Sequence, residues 1–160
     1  MHIFPVDALL QISPVPVSFQ PIEGSANGFY SLDKNVITVD STLSEKQSVK
    51  TLIHEIAHAT IHNINIPDVP KDSPTREVQA ESIAYVVCKY FGMDVSDYSF
   101  GYIAGWSTGK NTKELKESLE IIRDTSNNII SKTEQTLTQM QSVKQKVSET
   151  IQPRRRGRCM

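Results

Sequence analysis

Apolar residues recur at helical spacing in three segments of the chain. The first segment follows Ser44 and Gln47, whose types and spacing match a capping box at a helix start. The second follows residues 73–74, a Ser-Pro pair typical of a cap and first turn, and ends near Gly92. The third runs from residue 111 to about residue 149 without glycine or proline. We therefore expect three helices, the last of them long.

Alternating apolar residues upstream of the first helix predict a β-hairpin, with strands at 29–31 and 36–39. Residues 1–21 hold four prolines among short apolar runs, which favours an extended arm or an edge strand. A hairpin strand beside an active site can bind a peptide along its edge. Tyr30 is then a candidate for lining a cleft or stabilising an oxyanion, although aromatic side chains on half-buried strands more often serve packing.

The first predicted helix carries His54, Glu55 and His58 in the HExxH pattern of zinc hydrolases. Residues four apart lie about 6 Å from each other along a helix and on the same face, so both imidazoles can reach one metal ion. Glu55 lies at the rim of that face, where it can take a proton from a water molecule. These residues predict a Zn²⁺ site with Glu55 as the general base.

A zinc site of this type needs a third protein ligand. Ile61 and Ile64 occupy the positions where one class of zincins has a glycine turn and a third histidine, so that class is excluded. His62 lies about 12 Å along the helix from His54, too far to share the ion. We interpret it either as a residue that supports a ligand or as a surface residue, and the pattern favours the surface. The second helix offers Glu77 and Glu81 on one face, and periodicity alone leaves both open.

The residues around these motifs resemble a known family. The matching stretches run from 26 to 30, 36 to 39, 51 to 58, 80 to 85 and 102 to 106. Together they look like the metallopeptidase domain of ArdC-type antirestriction proteins and, more distantly, the ImmA/IrrE-type metallopeptidases. The resemblance implies a gluzincin-type zinc metallopeptidase with ligands His54, His58 and Glu81, and with Glu77 orienting a ligand histidine. It also implies a protein substrate, such as a regulator linked to a mobile element or phage.

Composition and charge limit the function classes. ArdC-type proteins carry a single-stranded-DNA-binding domain ahead of the peptidase, and residues 1–21 do not suit such a module, so we do not expect DNA binding from it. Of seventeen basic residues, four lie at Arg154 to Arg158, which leaves thirteen against eighteen acidic residues elsewhere. Such a tail is more often disordered than functional and would bind nucleic acid weakly at best.

The expected organisation is one α+β zincin-like domain. We place an N-terminal arm at 1–21, the metallopeptidase domain with a small antiparallel sheet at 22–110, a helical extension at 111–152 and the basic tail at 153–160. Neither Cys88 nor Cys159 is expected in a disulfide or as a ligand. Without a signal peptide or membrane-length apolar run, we expect a cytoplasmic protein with no membrane partner, and the oligomeric state is open.

Two other functions compete with peptidase activity. One is a non-hydrolytic, metal-binding antirestriction or regulatory protein that acts by binding a partner. The other is an interaction module in which the long C-terminal helix binds. An intact Glu55 favours hydrolysis over the first of these, and the second stays open.

Overall fold

The computed structural model describes residues 6–96 and 101–151. Within them the helices are α1 (Val6–Ile12), α2 (Glu45–Ile61), α3 (Ser73–Tyr90), α4 (Gly101–Ser107) and α5 (Thr112–Ile151), and the strands are β1 (Val17–Gln20), β2 (Gly28–Ser31) and β3 (Val36–Asp40). This arrangement confirms the predicted α+β, zincin-like fold. Its core lies where α2 packs between α3 and the sheet.

The three strands form a mixed sheet in the order β1-β3-β2. β2 and β3 are antiparallel, with Tyr30 opposite Ile37, which confirms the predicted hairpin. β1 runs parallel to β3, with Val17 also opposite Ile37. The expectation of a purely antiparallel sheet is therefore wrong for β1. The order leaves β2 at an edge of the sheet, against α2.

The N-terminal segment is more ordered than an extended arm. Residues 6–12 form α1, whose Ala8 and Leu9 are fully buried, and this helix packs against α2 and α5. The interpretation as an arm is therefore wrong for this stretch. The prolines had favoured an extended arm, but Pro14 and Pro16 lie between α1 and β1 and interrupt neither element.

Helix α2 begins as predicted. The Ser44 hydroxyl accepts a hydrogen bond from the Gln47 backbone N–H at 3.2 Å, and the Gln47 side chain accepts one from the Ser44 backbone N–H. These contacts satisfy donors that a helix start otherwise leaves unpaired. The apolar stripe of α2, including Leu52, Ile53 and Ile56, is buried in the core. The remaining face carries His54 and His58.

Helix α3 is capped by Asp72, one residue earlier than expected, and its carboxylate accepts a hydrogen bond from the Thr75 backbone N–H at 2.9 Å. The apolar stripe of α3 is buried against α2 and α5. Cys88 belongs to that stripe. Helix α4 is joined to the start of α3, because the Trp106 indole N–H donates to the Thr75 hydroxyl at 2.8 Å.

Helix α5 is capped by reciprocal hydrogen bonds between Asn111 and Glu114, as the sequence predicts. Its first two thirds pack on α3 and α1 and bury Ile129 and Ile130. From residue 141 to residue 151 every side chain is exposed. The predicted basic tail and Cys159 lie outside the described residues. None of the helices in the described part of the chain is long and apolar enough to span a membrane.

Gly28 is where β2 comes closest to α2, and it gives a testable prediction. A Cβ at this position would lie 2.6 Å from Thr51 Cγ2 and 2.9 Å from the Thr38 carbonyl oxygen. The Thr38 carbonyl oxygen belongs to the backbone of β3 and cannot move without distorting the sheet. We therefore expect Gly28→Ala to lower the free energy of unfolding by about 1–3 kcal/mol. Urea denaturation measures this.

The matched control is Gly105→Ala, because a Cβ at Gly105 meets no atom within 4 Å. It lies within α4, where alanine is favoured over glycine, so this control should be neutral or slightly stabilising. Equal midpoints for Gly28→Ala and wild type would contradict the close approach.

Candidate metal centre

The two histidines of the HExxH motif converge from consecutive turns of α2. His54 Nε2 and His58 Nε2 are 3.1 Å apart, and both side chains are mostly buried, with 18% and 13% of their surface exposed. Two ring nitrogens this close, each with a lone pair in its neutral form, favour a shared cation between them. This arrangement brings together the residues predicted as the first two ligands.

Glu77 of α3 meets both imidazoles. One carboxylate oxygen lies 3.3 Å from His54 Nε2 and the other lies 3.2 Å from His58 Nε2. A zinc ion about 2.0–2.1 Å from each of three tetrahedral donors holds those donors about 3.3 Å apart. The two Nε2 atoms lie near that spacing, at 3.1 Å, whereas the contacts from Glu77 come from two different oxygens. One ligand atom from each of His54, His58 and Glu77 lies within 4.8 Å of the others, so the three residues form a cluster that could hold a metal ion. The donor set therefore fits zinc.

Glu81 lies one turn further along α3 and contacts a different atom. Its carboxylate is 2.9 Å from His54 Nδ1, the ring nitrogen that does not face His58. In this position it can accept a hydrogen bond from Nδ1–H, which leaves the lone pair of His54 on Nε2. The role of Glu81 as the third ligand stays a prediction. The contacts of Glu77 and Glu81 are the reverse of those expected from the family resemblance.

The histidines and glutamates of this cluster shift one another's pKa values. Burial lowers the pKa of His54, but hydrogen bonds to Glu77 and Glu81 and the nearby charge of Glu55 outweigh burial and raise that pKa to about 10. Hydrogen bonds to His54 and His58 hold the pKa of Glu77 well below its ordinary value. The site therefore combines cationic and anionic groups with shifted pKa values in a partly buried place, which is typical of functional centres.

Glu55 faces the same place from the rim of α2. Its side chain is buried, and burial raises the pKa of its carboxyl group, while His54 and His58 act in the opposite direction. The Tyr30 backbone on β2 hydrogen-bonds to the carboxylate. A carboxylate with a raised pKa is a stronger proton acceptor than an exposed carboxylate, which suits a general base. The predicted general base is thus held in reach of the candidate centre.

A cleft runs across this centre on the β2 side. Two adjoining pockets of about 280 and 380 Å³ share Gly28, His54 and Glu55. The larger pocket is also lined by Phe29 and Leu32, whose side chains are largely exposed. The cleft therefore gives a substrate access to the histidines and to Glu55 beside the edge strand.

Tyr30 lies in this cleft, but its hydroxyl is engaged elsewhere. The Tyr30 O–H donates to the Asn35 side chain at 2.6 Å, across the hairpin turn. Burial raises the pKa of this hydroxyl. The structure therefore gives Tyr30 a lining role through its ring and its backbone. Its hydroxyl proton is donated to Asn35, so an oxyanion role has no support in this geometry.

His62 is not a surface residue, contrary to the prediction. Only 6% of its surface is exposed, and its Nδ1 lies 2.8 Å from His58 Nδ1. Its Nε2 lies 2.8 Å from Gln79 Oε1, and the Gln79 amide donates to the Ser118 hydroxyl at 3.1 Å. Burial is the main cause that lowers the pKa of His62 to about 4. This histidine is therefore neutral at physiological pH.

Sequence reasoning missed Gln79 and Ser118 entirely. The signal for His62 was its position four residues after His58, which places it on the same face of the helix. Gln79 interrupts the apolar stripe of α3, and such a polar residue indicates a buried hydrogen-bond partner. Nothing in the local sequence pairs Gln79 with Ser118, which is 39 residues away.

Comparisons with known proteins agree with this geometry. The family model Peptidase M78, described as an IrrE N-terminal-like domain, matches residues 11–103. An uncharacterized protein of Bacillus anthracis, pXO2-81, is 32% identical over 114 residues, which make up 71% of this chain and 19% of that protein. The chain thus spans about a fifth of that relative's length. No solved structure matches. The ImmA/IrrE-type resemblance is confirmed, whereas the narrower ArdC-type resemblance stays a prediction.

The raised pKa of His54 predicts how the metal-free protein responds to pH. Because its folded-state pKa is about 10 and its unfolded value is 6.5, the stabilisation is complete below pH 6.5 and is lost as the pH rises towards 10. We expect the midpoint temperature of unfolding of EDTA-treated protein to decrease as the pH is raised from 7 to 9.5. Thermal unfolding followed by circular dichroism measures it.

The variant His54→Gln provides the comparison, since glutamine does not titrate. Its unfolding midpoint should change less over the same pH range. An identical pH profile for the variant and wild type would show that His54 is not the group responsible.

Proposed function

Because the chain belongs to the Peptidase M78 family, we propose that it is a zinc-dependent peptidase that hydrolyses a protein substrate. One observation carries the proposal most directly. Two imidazole nitrogens and a carboxylate oxygen, one from each of His54, His58 and Glu77, lie within 4.8 Å of one another, beside a buried Glu55 and an open cleft. A purely structural zinc site is closed by four protein ligands and has no need of a cleft.

His54, His58 and Glu77 are the ligands that the contacts favour. Glu77 is the carboxylate that meets both Nε2 atoms, and Glu81 instead meets His54 Nδ1. This assignment exchanges the roles that the family resemblance implies for the two glutamates. In it, Glu81 orients His54 and keeps its lone pair on Nε2, as carboxylates commonly do behind histidine ligands.

Glu55 performs the proton transfers. When bound, zinc supplies a Lewis acid that lowers the pKa of water and polarises a peptide carbonyl. Glu55 accepts the proton of the attacking water and then delivers it to the leaving amine. The raised pKa of Glu55 suits the first step, because burial makes its carboxylate a stronger proton acceptor than an exposed one. The Tyr30 backbone holds the carboxylate in place.

An extended peptide fits the cleft better than a small molecule. β2 is an edge strand, so it can pair with a substrate strand through its main chain. Phe29 and Leu32 expose 44% and 54% of their surface beside the histidines. Apolar side chains next to the scissile bond would cover this surface. We propose that the substrate is a regulatory protein, as in the ImmA/IrrE-type resemblance.

The role of Glu55 gives the central test of activity. Glu55→Gln keeps the size of the side chain but removes the base, so we expect about one zinc per chain and a loss of cleavage of about 10²-fold or more. Zinc is measured by mass spectrometry on protein purified without chelators. Cleavage is measured by comparing new protein N-termini in cells that produce wild type or variant.

Glu45→Gln is the matched control, since it makes the same change on the exposed first turn of α2. It should cleave like wild type. If Glu55→Gln retains both zinc and the full set of cleavages, the peptidase proposal fails. A wild type that binds zinc without generating any new N-termini would favour the non-hydrolytic, partner-binding alternative.

The two glutamates of α3 can be separated by zinc affinity. We expect Glu77→Gln to weaken zinc binding by more than 100-fold, because it removes a ligand, and Glu81→Gln to weaken it by about 10–100-fold, because it removes a partner of a ligand. Competition with a chromophoric chelator measures both. The opposite ranking would make Glu81 the ligand, as the family resemblance implies.

A further inference from the structure

A chain of buried hydrogen bonds leads from His58 to α5. It passes from His58 Nδ1 to His62 Nδ1 at 2.8 Å, from His62 Nε2 to Gln79 Oε1 at 2.8 Å, and from Gln79 Nε2 to Ser118 Oγ at 3.1 Å. The last three residues are only 6%, 2% and 4% exposed. With so little exposure, each polar atom in the chain depends on its neighbour for a partner.

The donor and acceptor atoms of each side chain decide which atom donates in each of these hydrogen bonds. Gln79 Oε1 can only accept, so His62 must carry its proton on Nε2. A neutral His62 then presents a lone pair on Nδ1, and His58 must donate to it from Nδ1–H. His58 is left with its lone pair on Nε2. That atom is the one 3.1 Å from His54 Nε2 and 3.2 Å from the Glu77 carboxylate.

We propose that His62, Gln79 and Ser118 are positioning residues that keep the lone pair of His58 on Nε2, towards the metal. This inference rests on the proposed function, because the position of the His58 proton matters only if His58 binds the ion. We call the hydrogen bonds that run from His58 through His62 and Gln79 to Ser118 the relay. In the reverse order, His58 would carry its proton on Nε2 and could not bind the ion in that form. His58 thus gains from His62 what His54 gains from Glu81, but through a neutral partner.

The relay also extends the site beyond the family domain. The family model matches residues 11–103, whereas Ser118 belongs to α5. The segment after the domain is therefore joined to a metal ligand through two buried side chains, besides packing on α3. Ser118 holds the Gln79 amide nitrogen, which turns the amide oxygen towards His62.

Two substitutions of nearly equal shape test the proposal. Asparagine can present its Oδ1 where His62 has Nδ1, so His62→Asn keeps an acceptor for His58, and His62→Leu has almost the same shape without one. Both lose the contact with Gln79 equally. We expect zinc affinity to fall by about 10–100-fold in His62→Leu and to stay within a few-fold of wild type in His62→Asn.

Zinc affinity is measured by chelator competition, with thermal unfolding in EDTA to compare the folds. Thr133→Val serves as a control for a polar-to-apolar change in the α5 interface, because its hydroxyl donates to the Ile129 carbonyl of the same helix. It should bind zinc like wild type. If wild type binds zinc and the two variants His62→Asn and His62→Leu have equal zinc affinities, the relay is overturned and the proposed function is not.

A spectroscopic measurement on wild-type protein decides the matter even if both variants fail to fold. Long-range ¹H–¹⁵N spectra of the zinc-loaded protein identify which ring nitrogen carries each proton. We expect the proton of His62 on Nε2 and that of His58 on Nδ1. Finding the proton of His62 on Nδ1 would overturn the relay. A wild type that binds no zinc would overturn the proposed function, and the relay would lose its purpose with it.

Discussion

The meeting of two imidazoles from α2 with a carboxylate from α3 is the interaction on which the site depends. The two imidazoles are mostly buried and the Glu77 side chain is about half exposed, and each group is stabilised by the others. The apolar stripes of the two helices pack against each other and hold the three groups in register. A metal ion adds positive charge where Glu77 already supplies negative charge, so the folded chain is prepared for binding.

Much of this could be predicted from local sequence. The capping residues Ser44 and Gln47, the shared helix face of His54 and His58, and the hairpin before them are all set by short-range geometry. These features depend on spacing along one element, and spacing is readable from the sequence. The close approach of His54 and His58 followed for the same reason. Their roles as ligands, and that of Glu55 as the base, stay predictions.

The remaining features depend on how elements meet. Glu77 and Glu81 lie one turn apart on the same face, and only the axial position of α3 against α2 decides which carboxylate meets Nε2 and which meets Nδ1. Packing of whole stripes sets that position to within a few ångströms, which no periodicity encodes. His62 was misread for a related reason, since its partner Gln79 is on another helix. The prolines near β1 misled because proline marks ends of elements as well as extended chain.

The exposed end of α5 has a hydrodynamic consequence. A helix of 40 residues is about 60 Å long, whereas a compact chain of this size has a radius of gyration of about 15 Å. Residues 141–151 therefore extend about 16 Å of bare helix into solvent. A projecting helix causes more friction than the same residues folded into a compact shape. The Stokes radius of the monomer therefore exceeds that of a spherical 17.9 kDa protein. Gel filtration calibrated on globular standards will overstate its mass, and only light scattering or sedimentation distinguishes an elongated monomer from a dimer.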